Sequence, residues 1–356
     1  MPLPTVLLSF LFAVPGAVPA ASPPPKPAAL GLAVNLPASA SAADRQKALE
    51  QVRAAGVSVL ALAVSWPAAE PRARKYDVAD VVRAARLLRQ SGATLHLDLP
   101  LVDGRGRLVP KDLAGVAFDD PKLAARLGRL FEALGPALLD FSTLSLGNEA
   151  DAYFASRPEE LTAYLRLFAG AVEFLGRVAP RLLVGVATAA PTDSRAPGVA
   201  ARLHEKSPAV FFVYAPFVPA APFTHRPPET LEADWKAMIA AAAGRPLAFT
   251  EVSFSSSPEN GSTPAKQAEF VRRMRRFLAS ADPTRLLFAR YVPWRDPLPG
   301  DLSAGHDGSP VERRRAAFLA NRGLQKSDGT AKPAWREWSR SVPSGPAPSR
   351  NRPRSR

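Results

Sequence analysis

Short apolar runs alternate along the chain with longer segments in which apolar positions are spaced by three and four. The short runs have the length and composition of buried strands, and the segments between them have the period of amphipathic helices. Eight strands are predicted, at residues 31–35, 57–64, 94–99, 141–146, 182–187, 210–214, 247–251 and 286–292. Eight helices are predicted, at residues 43–55, 78–91, 121–134, 158–178, 198–206, 228–243, 264–280 and 311–321.

This alternation predicts the fold class. Parallel strands need long crossover connections, and eight strand and helix units in 356 residues close most naturally into a barrel. We therefore predict an α/β fold, a single (β/α)8 TIM barrel, with a doubly wound open sheet as the alternative. Against that alternative, the turns lack the glycine fingerprint of dinucleotide sites and no Walker loop is present. Gly104-Arg105-Gly106 is interpreted as a turn only.

The two ends of the chain differ in composition from the predicted barrel. An apolar run at 6–14, followed by small residues, predicts a signal peptide over 1–21, although no Lys or Arg precedes the run. Residues 22–29 are predicted to be a proline-rich spacer, residues 30–342 the barrel, and residues 343–356 a disordered basic tail. We expect a secreted or periplasmic protein with no integral membrane segment after signal cleavage.

The composition excludes several kinds of chemistry. The chain has no cysteine, which excludes disulfides, thiolate metal sites, iron–sulfur clusters and a cysteine nucleophile. The histidines are scattered and form no HExxH motif, which argues against a histidine-built metal site. They are His96, His204, His225 and His306. We expect neither a metal nor another cofactor.

The formal net charge of +14 raises the question of a nucleic-acid partner. The arginines are dispersed, however, and those in Arg272-Arg273-Met274-Arg275-Arg276 flank apolar positions at helical spacing, as on the solvated face of a helix. We therefore expect no nucleic-acid partner. Nonspecific attraction to acidic polymers or cell surfaces is compatible with the charge. The oligomeric state is not predicted.

Two acidic residues stand at the carboxyl ends of predicted strands, where a barrel carries its reactive groups. Glu149 follows the fourth predicted strand, and Glu251 ends the seventh. These strands face one another across a barrel, so the carboxylates could flank one sugar ring, and a separation of about 5 Å would imply hydrolysis with retention. Each acid taken alone could equally be a structural carboxylate paired with an arginine.

Short motifs, in the order of the fold, carry a resemblance to a group of enzymes. Gly147-Asn148-Glu149 and Thr250-Glu251 resemble the acid/base and nucleophile motifs of clan A glycoside hydrolases, which are TIM barrels. Segments 65–71 and 328–335 are similar to the stretches after strand two and before the final helix in that clan. The likeness spans residues 31–338. The residues around both acids are similar to those of relatives of the family 53 galactanases.

The resemblance implies an exported retaining glycoside hydrolase that needs no cofactor. It would cleave the O-glycosidic bonds of a β-linked oligo- or polysaccharide by double displacement, with Glu149 as acid/base and Glu251 as nucleophile. The other implied substrate-site residues are Asn148 at the sugar 2-hydroxyl, Tyr214 orienting Glu251, Trp294 as a stacking platform, and Trp66. Each of these four also has a structural interpretation, as a turn cap, a core residue or a plug of the barrel mouth.

The resemblance is incomplete at two positions. Clan enzymes commonly carry an Arg on strand two, which is absent from 60–64, and a His two residues before the strand-six Tyr, where this chain has Phe212. These departures leave open a second hypothesis, a non-catalytic carbohydrate-binding TIM barrel at the cell envelope. His96 and Asp98 on strand three are weaker site candidates. A different barrel hydrolase has no positive support, since no nucleophile elbow is present.

Overall fold

The structure, a computed structural model, describes residues 28–36, 40–192, 194, 196–298, 300, 302 and 308–340. The predicted signal peptide, most of the predicted spacer and the predicted basic tail lie outside the described residues. His306 lies outside them as well. Within the described part of the chain, no helix is both long enough and apolar enough to cross a membrane.

A ring of parallel strands forms the centre of the fold. In chain order the eight barrel strands are Ala29–Leu32, Val59–Ala63, Thr94–Asp98, Thr143–Ser145, a fifth in two pieces (Leu183–Gly185 and Ala187–Ala189), Val210–Tyr214, Leu247–Val252 and Leu286–Tyr291. The first strand pairs with both the second and the eighth. The first piece of the fifth strand pairs with the fourth, and its second piece pairs with the sixth, on the far side of Val186. The predicted single TIM barrel is therefore confirmed.

Helices follow the strands on the outside of the ring. They are Ala42–Ala54, Trp66–Ala69, Ala79–Gln90, Pro121–Leu134, Ala150–Ser156, Pro158–Val178, Pro197–Glu205, Thr230–Ala241, Pro264–Ser280, Pro310–Asn321 and Pro333–Ser339. Short 3-10 turns occupy Lys111–Leu113, Gly135–Asp140 and Pro258–Asn260. Two small antiparallel hairpins, Val102–Asp103 with Gly106–Arg107 and Phe217–Val218 with Ala221–His225, were not predicted because each strand is too short to show a period.

Helix Pro264–Ser280 shows why these segments fold as they do. The Thr263 side chain accepts a hydrogen bond from the Lys266 amide and Pro264 occupies the first turn, so the helix begins with a satisfied cap. Its arginines lie on the outer side, where Arg273 pairs with Glu232 and Glu269. The opposite side is buried against the barrel by Phe270, Val271, Met274 and Leu278. The charge of this segment is that of an outer helix face.

Alternation along the strands separates two apolar layers. A small cluster fills the interior of the barrel, and it consists of Val59, Ala187, Ala209, Phe211, Ala248 and Phe288. A much larger cluster lies between the sheet and the helices. The interior is tightest at Gly185, where a Cβ atom would lie 2.6 Å from the Ala209 carbonyl oxygen and 2.8 Å from the Phe211 ring. Only glycine fits there without moving backbone.

Replacing Gly185 with alanine should therefore lower the free energy of unfolding by about 1–3 kcal/mol, the usual cost of overpacking a core. Gly170→Ala is the control, because Gly170 lies on an exposed part of helix Pro158–Val178 with open space around it. That substitution should raise stability by about 0.5–1 kcal/mol through helix propensity. Denaturant unfolding measures both changes. Equal effects of the two substitutions would contradict the packing described at Gly185.

Candidate active site

Glu149 lies just beyond the fourth strand in an unusual backbone conformation. Its φ of 46° and ψ of 39° fall in the left-handed region, which a residue with a side chain adopts at a cost. The turn is fixed on both sides, because Tyr164 donates to the Leu146 carbonyl and the Asn148 amide donates to the Val102 carbonyl. Gly147 permits this packing, since a Cβ there would lie 3.1 Å from Val186. These contacts hold the strained backbone of Glu149 in place at the mouth of the barrel.

Glu251 is directed by a β-bulge in the seventh strand. Phe249 pairs with Phe212 and Glu251 pairs with Val213, so Thr250 is an extra residue relative to the sixth strand. Strict alternation from Phe249, which packs in the outer layer, would turn Glu251 toward the helices. The extra residue instead places Glu251 on the side of Val213, which packs against the interior cluster. Glu251 therefore faces into the barrel.

A side-chain hydrogen bond joins the segments that carry the two acids. Asn148 Nδ2 donates to Glu251 Oε1 at 3.1 Å, across a sequence separation of 103 residues. Asn148 and Glu251 are both partly buried, while Glu149 is solvent-accessible. The structure thus brings Glu149, Asn148 and Glu251 together at one end of the barrel.

The surroundings of Glu149 raise the pKa of its carboxyl. Burial raises its pKa to about 7, with further increases from the charges of Glu251, Asp151 and Asp103, while Arg322 acts to lower it. Although protein surrounds the carboxyl on most sides, more than a third of the residue is accessible to solvent. Glu149 is therefore an acid that a ligand can reach and that loses its proton only as pH rises through about 7, well above the usual range of a carboxyl.

Arg322 is a charged neighbour of both carboxylates that the sequence did not reveal. Burial lowers the pKa of Arg322, and the charges of Glu251 and Glu149 oppose that shift. Its carbonyl accepts a hydrogen bond of 2.9 Å from the Tyr291 hydroxyl, which fixes the segment beyond helix Pro310–Asn321. Its Nε is buried without a hydrogen-bond partner among the residues that the structure describes. No sequence signal singles out this arginine, because it does not end a strand.

The hairpin that follows the third strand also borders Glu149. Gly104 lies in the turn that the sequence predicts, and a Cβ there would lie 3.7 Å from Glu149 Oε2. Asp103, whose carboxylate accepts from the amides of Arg105 and Gly106, adds negative charge near Glu149. This turn therefore forms one wall of the site.

A polar network occupies the barrel interior below the acids. His96 Nε2 lies 2.9 Å from Asp98 Oδ1, and Arg290 Nη2 donates to Asp98 Oδ2 at 2.9 Å. Burial acts to raise the pKa of Asp98, but Arg290 and His96 outweigh it and hold that pKa well below its usual range. His96 also contacts the Thr143 hydroxyl at 2.8 Å. The two weaker candidates of the third strand thus lie inside the barrel, and Arg290 is a partner that the sequence did not reveal.

Three aromatic residues that the resemblance implies at the site are buried: Tyr214, which would orient Glu251, and Trp66 and Trp294, which would contact the sugar. Tyr214 donates to Asp234 at 2.8 Å and packs in the layer between sheet and helices. Trp66 donates to Glu70 at 2.8 Å, and Arg295 covers a face of Trp294 at 4.3 Å. All three aromatic residues are fully buried. No ring presents a face to solvent in this structure, and the roles of the three residues at a substrate site stay predictions.

Among the residues that the structure describes, no group of three or more His, Asp or Glu side chains is arranged to hold a metal ion. The buried histidines His96, His204 and His225 belong to separate hydrogen-bonded environments. The side chains that interact at the candidate site include Glu149, Glu251, Asn148 and Arg322.

The fold is a TIM barrel that carries a glutamate at the carboxyl end of its fourth strand and another at the end of its seventh. No protein-family model matches the sequence, and no curated protein is significantly similar to it. Solved structures do match: a GH5_18 protein from Streptomyces cattleya in complex with Manβ1-4GlcNAc has 14% identity and a TM-score of 0.63, over 88% of this chain and 79% of that one.

Two further neighbours have the same fold. The exo-β-1,4-mannosidase Op5Man5 from Opitutaceae bacterium strain TAV5 has 15% identity and a TM-score of 0.62, over 88% of this chain and 58% of that one. Xylanase 10B from Thermotoga maritima has 12% identity and a TM-score of 0.61, over 87% of this chain and 93% of that one. The chain therefore shares the TIM-barrel fold of these enzymes, and the closer resemblance to family 53 stays a prediction.

The pKa of Glu149 predicts how stability depends on pH. A carboxyl whose pKa is about 7 when folded and about 4.3 when unfolded stabilises the protein at low pH, and that contribution is lost as pH rises from about 4 to 7. Glu149→Gln stays neutral and avoids the loss, so its Tm relative to wild type should rise between pH 4 and pH 8. Thermal unfolding across this range checks the prediction. A constant difference in Tm would contradict the raised pKa.

Proposed function

We propose that this chain is an exported retaining glycosidase that hydrolyses a β-linked glycan. The observation that carries the proposal is the placement of Glu149 and Glu251 in one barrel mouth, with the charge on Glu251 contributing to the raised pKa of Glu149. This is the division of states that double displacement requires, one protonated acid beside one anionic nucleophile. The shared fold of the solved neighbours supports the same class of activity.

In the first step, Glu149 donates its proton to the glycosidic oxygen while a Glu251 carboxylate oxygen attacks the anomeric carbon. The bond from that carbon to the leaving oxygen breaks, and the aglycone departs as an alcohol. The product on the protein is a glycosyl ester of Glu251. Asn148, which donates to Glu251 Oε1, holds this oxygen in place before attack.

In the second step, water hydrolyses the ester. Once Glu251 is esterified its negative charge is gone, so the pKa of Glu149 falls and the now ionised Glu149 can take a proton from water. The hydroxide attacks the anomeric carbon, releases the Glu251 carboxylate and leaves the sugar with its original configuration. Both glutamates return to their starting protonation states.

The sugar is proposed more narrowly from two sources. A solved neighbour is bound to Manβ1-4GlcNAc and another is named as an exo-β-1,4-mannosidase, so β-mannosides are the first substrates to test. The sequence resemblance to family 53 adds β-galactans. Export is proposed from the apolar start of the sequence, which predicts a secreted or periplasmic location.

Hydrolysis should be measured on aryl β-glycosides, mannans, galactans, glucans and xylans by release of the aglycone or of reducing ends. Glu149→Gln on natural substrates and Glu251→Gln on all substrates should each lower kcat/KM by about 10²–10⁴-fold, because each removes a group that acts in the transition state. Glu259→Gln is the matched control, since this exposed glutamate follows the same seventh strand. Activity should fall as pH rises through about 7, where Glu149 loses its proton.

Two outcomes would contradict this assignment. Hydrolysis that survives either site substitution would show that Glu149 and Glu251 are not the catalytic pair. No hydrolysis of any substrate, together with glycan retention in a pull-down, would favour the non-catalytic carbohydrate-binding barrel. The observation that favours this second function is the absence of an arginine on the second strand, since Val59–Ala63 carries no charged residue.

A further inference from the structure

Arg290 stands directly opposite the bulge that directs Glu251. On the eighth strand, Ala289 pairs with Phe249 and Tyr291 pairs with Val252. Thr250 and Glu251 therefore share one position opposite Arg290, which is the arrangement of a β-bulge, two residues facing one. The sixth strand shows the same extra residue, so the irregularity belongs to the seventh strand itself.

The Arg290 side chain bonds to the backbone of this bulge. Its Nε donates to the Thr250 carbonyl at 2.7 Å, and Thr250 is only 1% exposed. A carbonyl group buried there without a partner would cost free energy, and a bulge displaces backbone groups from the regular ladder. The guanidinium thus satisfies the carbonyl immediately before Glu251.

The other side of the guanidinium is anchored in the barrel interior. Arg290 Nη2 donates to Asp98 at 2.9 Å, and Asp98 is held in turn by His96 at 2.9 Å. Gly31 on the first strand leaves room for the arginine, because a Cβ at Gly31 would lie 3.0 Å from the Arg290 Cβ. The guanidinium of Arg290 is therefore held by hydrogen bonds to the third and seventh strands, and the first strand leaves room for it.

We propose that Arg290 is a positioning residue that holds the Thr250 bulge and thereby keeps Glu251 turned into the barrel, with Asp98 and His96 fixing Arg290. The arginine acts on Glu251 through the backbone of Thr250, by a hydrogen bond rather than by charge. Without this bond, relaxation of the bulge toward regular alternation would move Glu251 toward the side on which Phe249 packs. The catalytic consequence rests on the proposed function, whereas the position of Glu251 does not.

The first test follows the charge of Glu251 through its effect on Glu149. The pKa of Glu149 is measured by carbon-13 NMR titration of the full chain labelled at glutamate carboxyls, with the Glu149 signal assigned from Glu149→Gln. In Arg290→Met, Glu251 should move away, so the pKa of Glu149 should fall, as it should also fall in Glu251→Gln. Loss of a positive charge alone would change that pKa in the opposite direction, so the sign separates positioning from charge.

The matched control is Arg285→Met, which removes a partly buried arginine just before the same strand, where it donates to the Ile239 carbonyl. This variant should leave the pKa of Glu149 unchanged. Arg290→Lys keeps the positive charge and shortens the donor, so it should lower the pKa of Glu149 less than Arg290→Met does, whereas charge alone would leave that pKa unchanged. It also keeps the inference testable if Arg290→Met does not fold.

Kinetics give the second test on whichever substrate the wild type hydrolyses. Arg290→Met should lower kcat by about 10²-fold, the cost of misplacing a reacting group by about 1 Å, with little change in KM. A pKa of Glu149 that stays constant or rises in Arg290→Met would overturn the inference, even if kcat falls. A pKa that falls in a chain without hydrolytic activity would uphold the positioning and refute the proposed function alone.

Discussion

The charge of Glu251 beside Glu149 is the interaction around which the barrel mouth is organised. Burial of the Glu149 carboxyl and, after it, repulsion by the charge of Glu251 raise the pKa of Glu149 to about 7. Arg322 adds opposing positive charge, and Asn148 donates to Glu251. A raised pKa of Glu149 beside the Glu251 carboxyl is the arrangement that the proposed proton donation and nucleophilic attack require.

Each acid depends on a local departure from regular backbone. Glu149 adopts the left-handed region after the fourth strand, and Glu251 follows the bulge at Thr250. Such features persist only where surrounding contacts hold them, and here the contacts come from the rigid barrel. Tyr164 fixes the first turn and Arg290 bonds to the second. The apolar cluster around Phe211 packs the interior of that barrel.

The barrel could be predicted from the sequence because each of its eight units combines a short apolar run with a segment of helical periodicity. The sequence also predicted where Glu149 and Glu251 lie along their strands. It did not predict the bulge, since one extra residue leaves no trace in a hydrophobic pattern, nor the arrival of Arg322 from a distant connection. Trp66 and Trp294, to which the resemblance gives sugar contacts, are fully buried. A sequence motif specifies the type of a residue, whereas the side chains packed around that residue decide its exposure.

The most direct test of the central claim is to trap the glycosyl ester with 2-deoxy-2-fluoro glycosyl fluorides of the manno, galacto, gluco and xylo series. The fluorine slows both steps, and the good leaving group allows the first, so the ester accumulates. Mass spectrometry of the digested protein should find one adduct, on the peptide that carries Glu251, and none in Glu251→Gln. An adduct on another carboxylate, or no adduct with a chain that hydrolyses the parent sugar, would contradict the assignment of Glu251 as nucleophile.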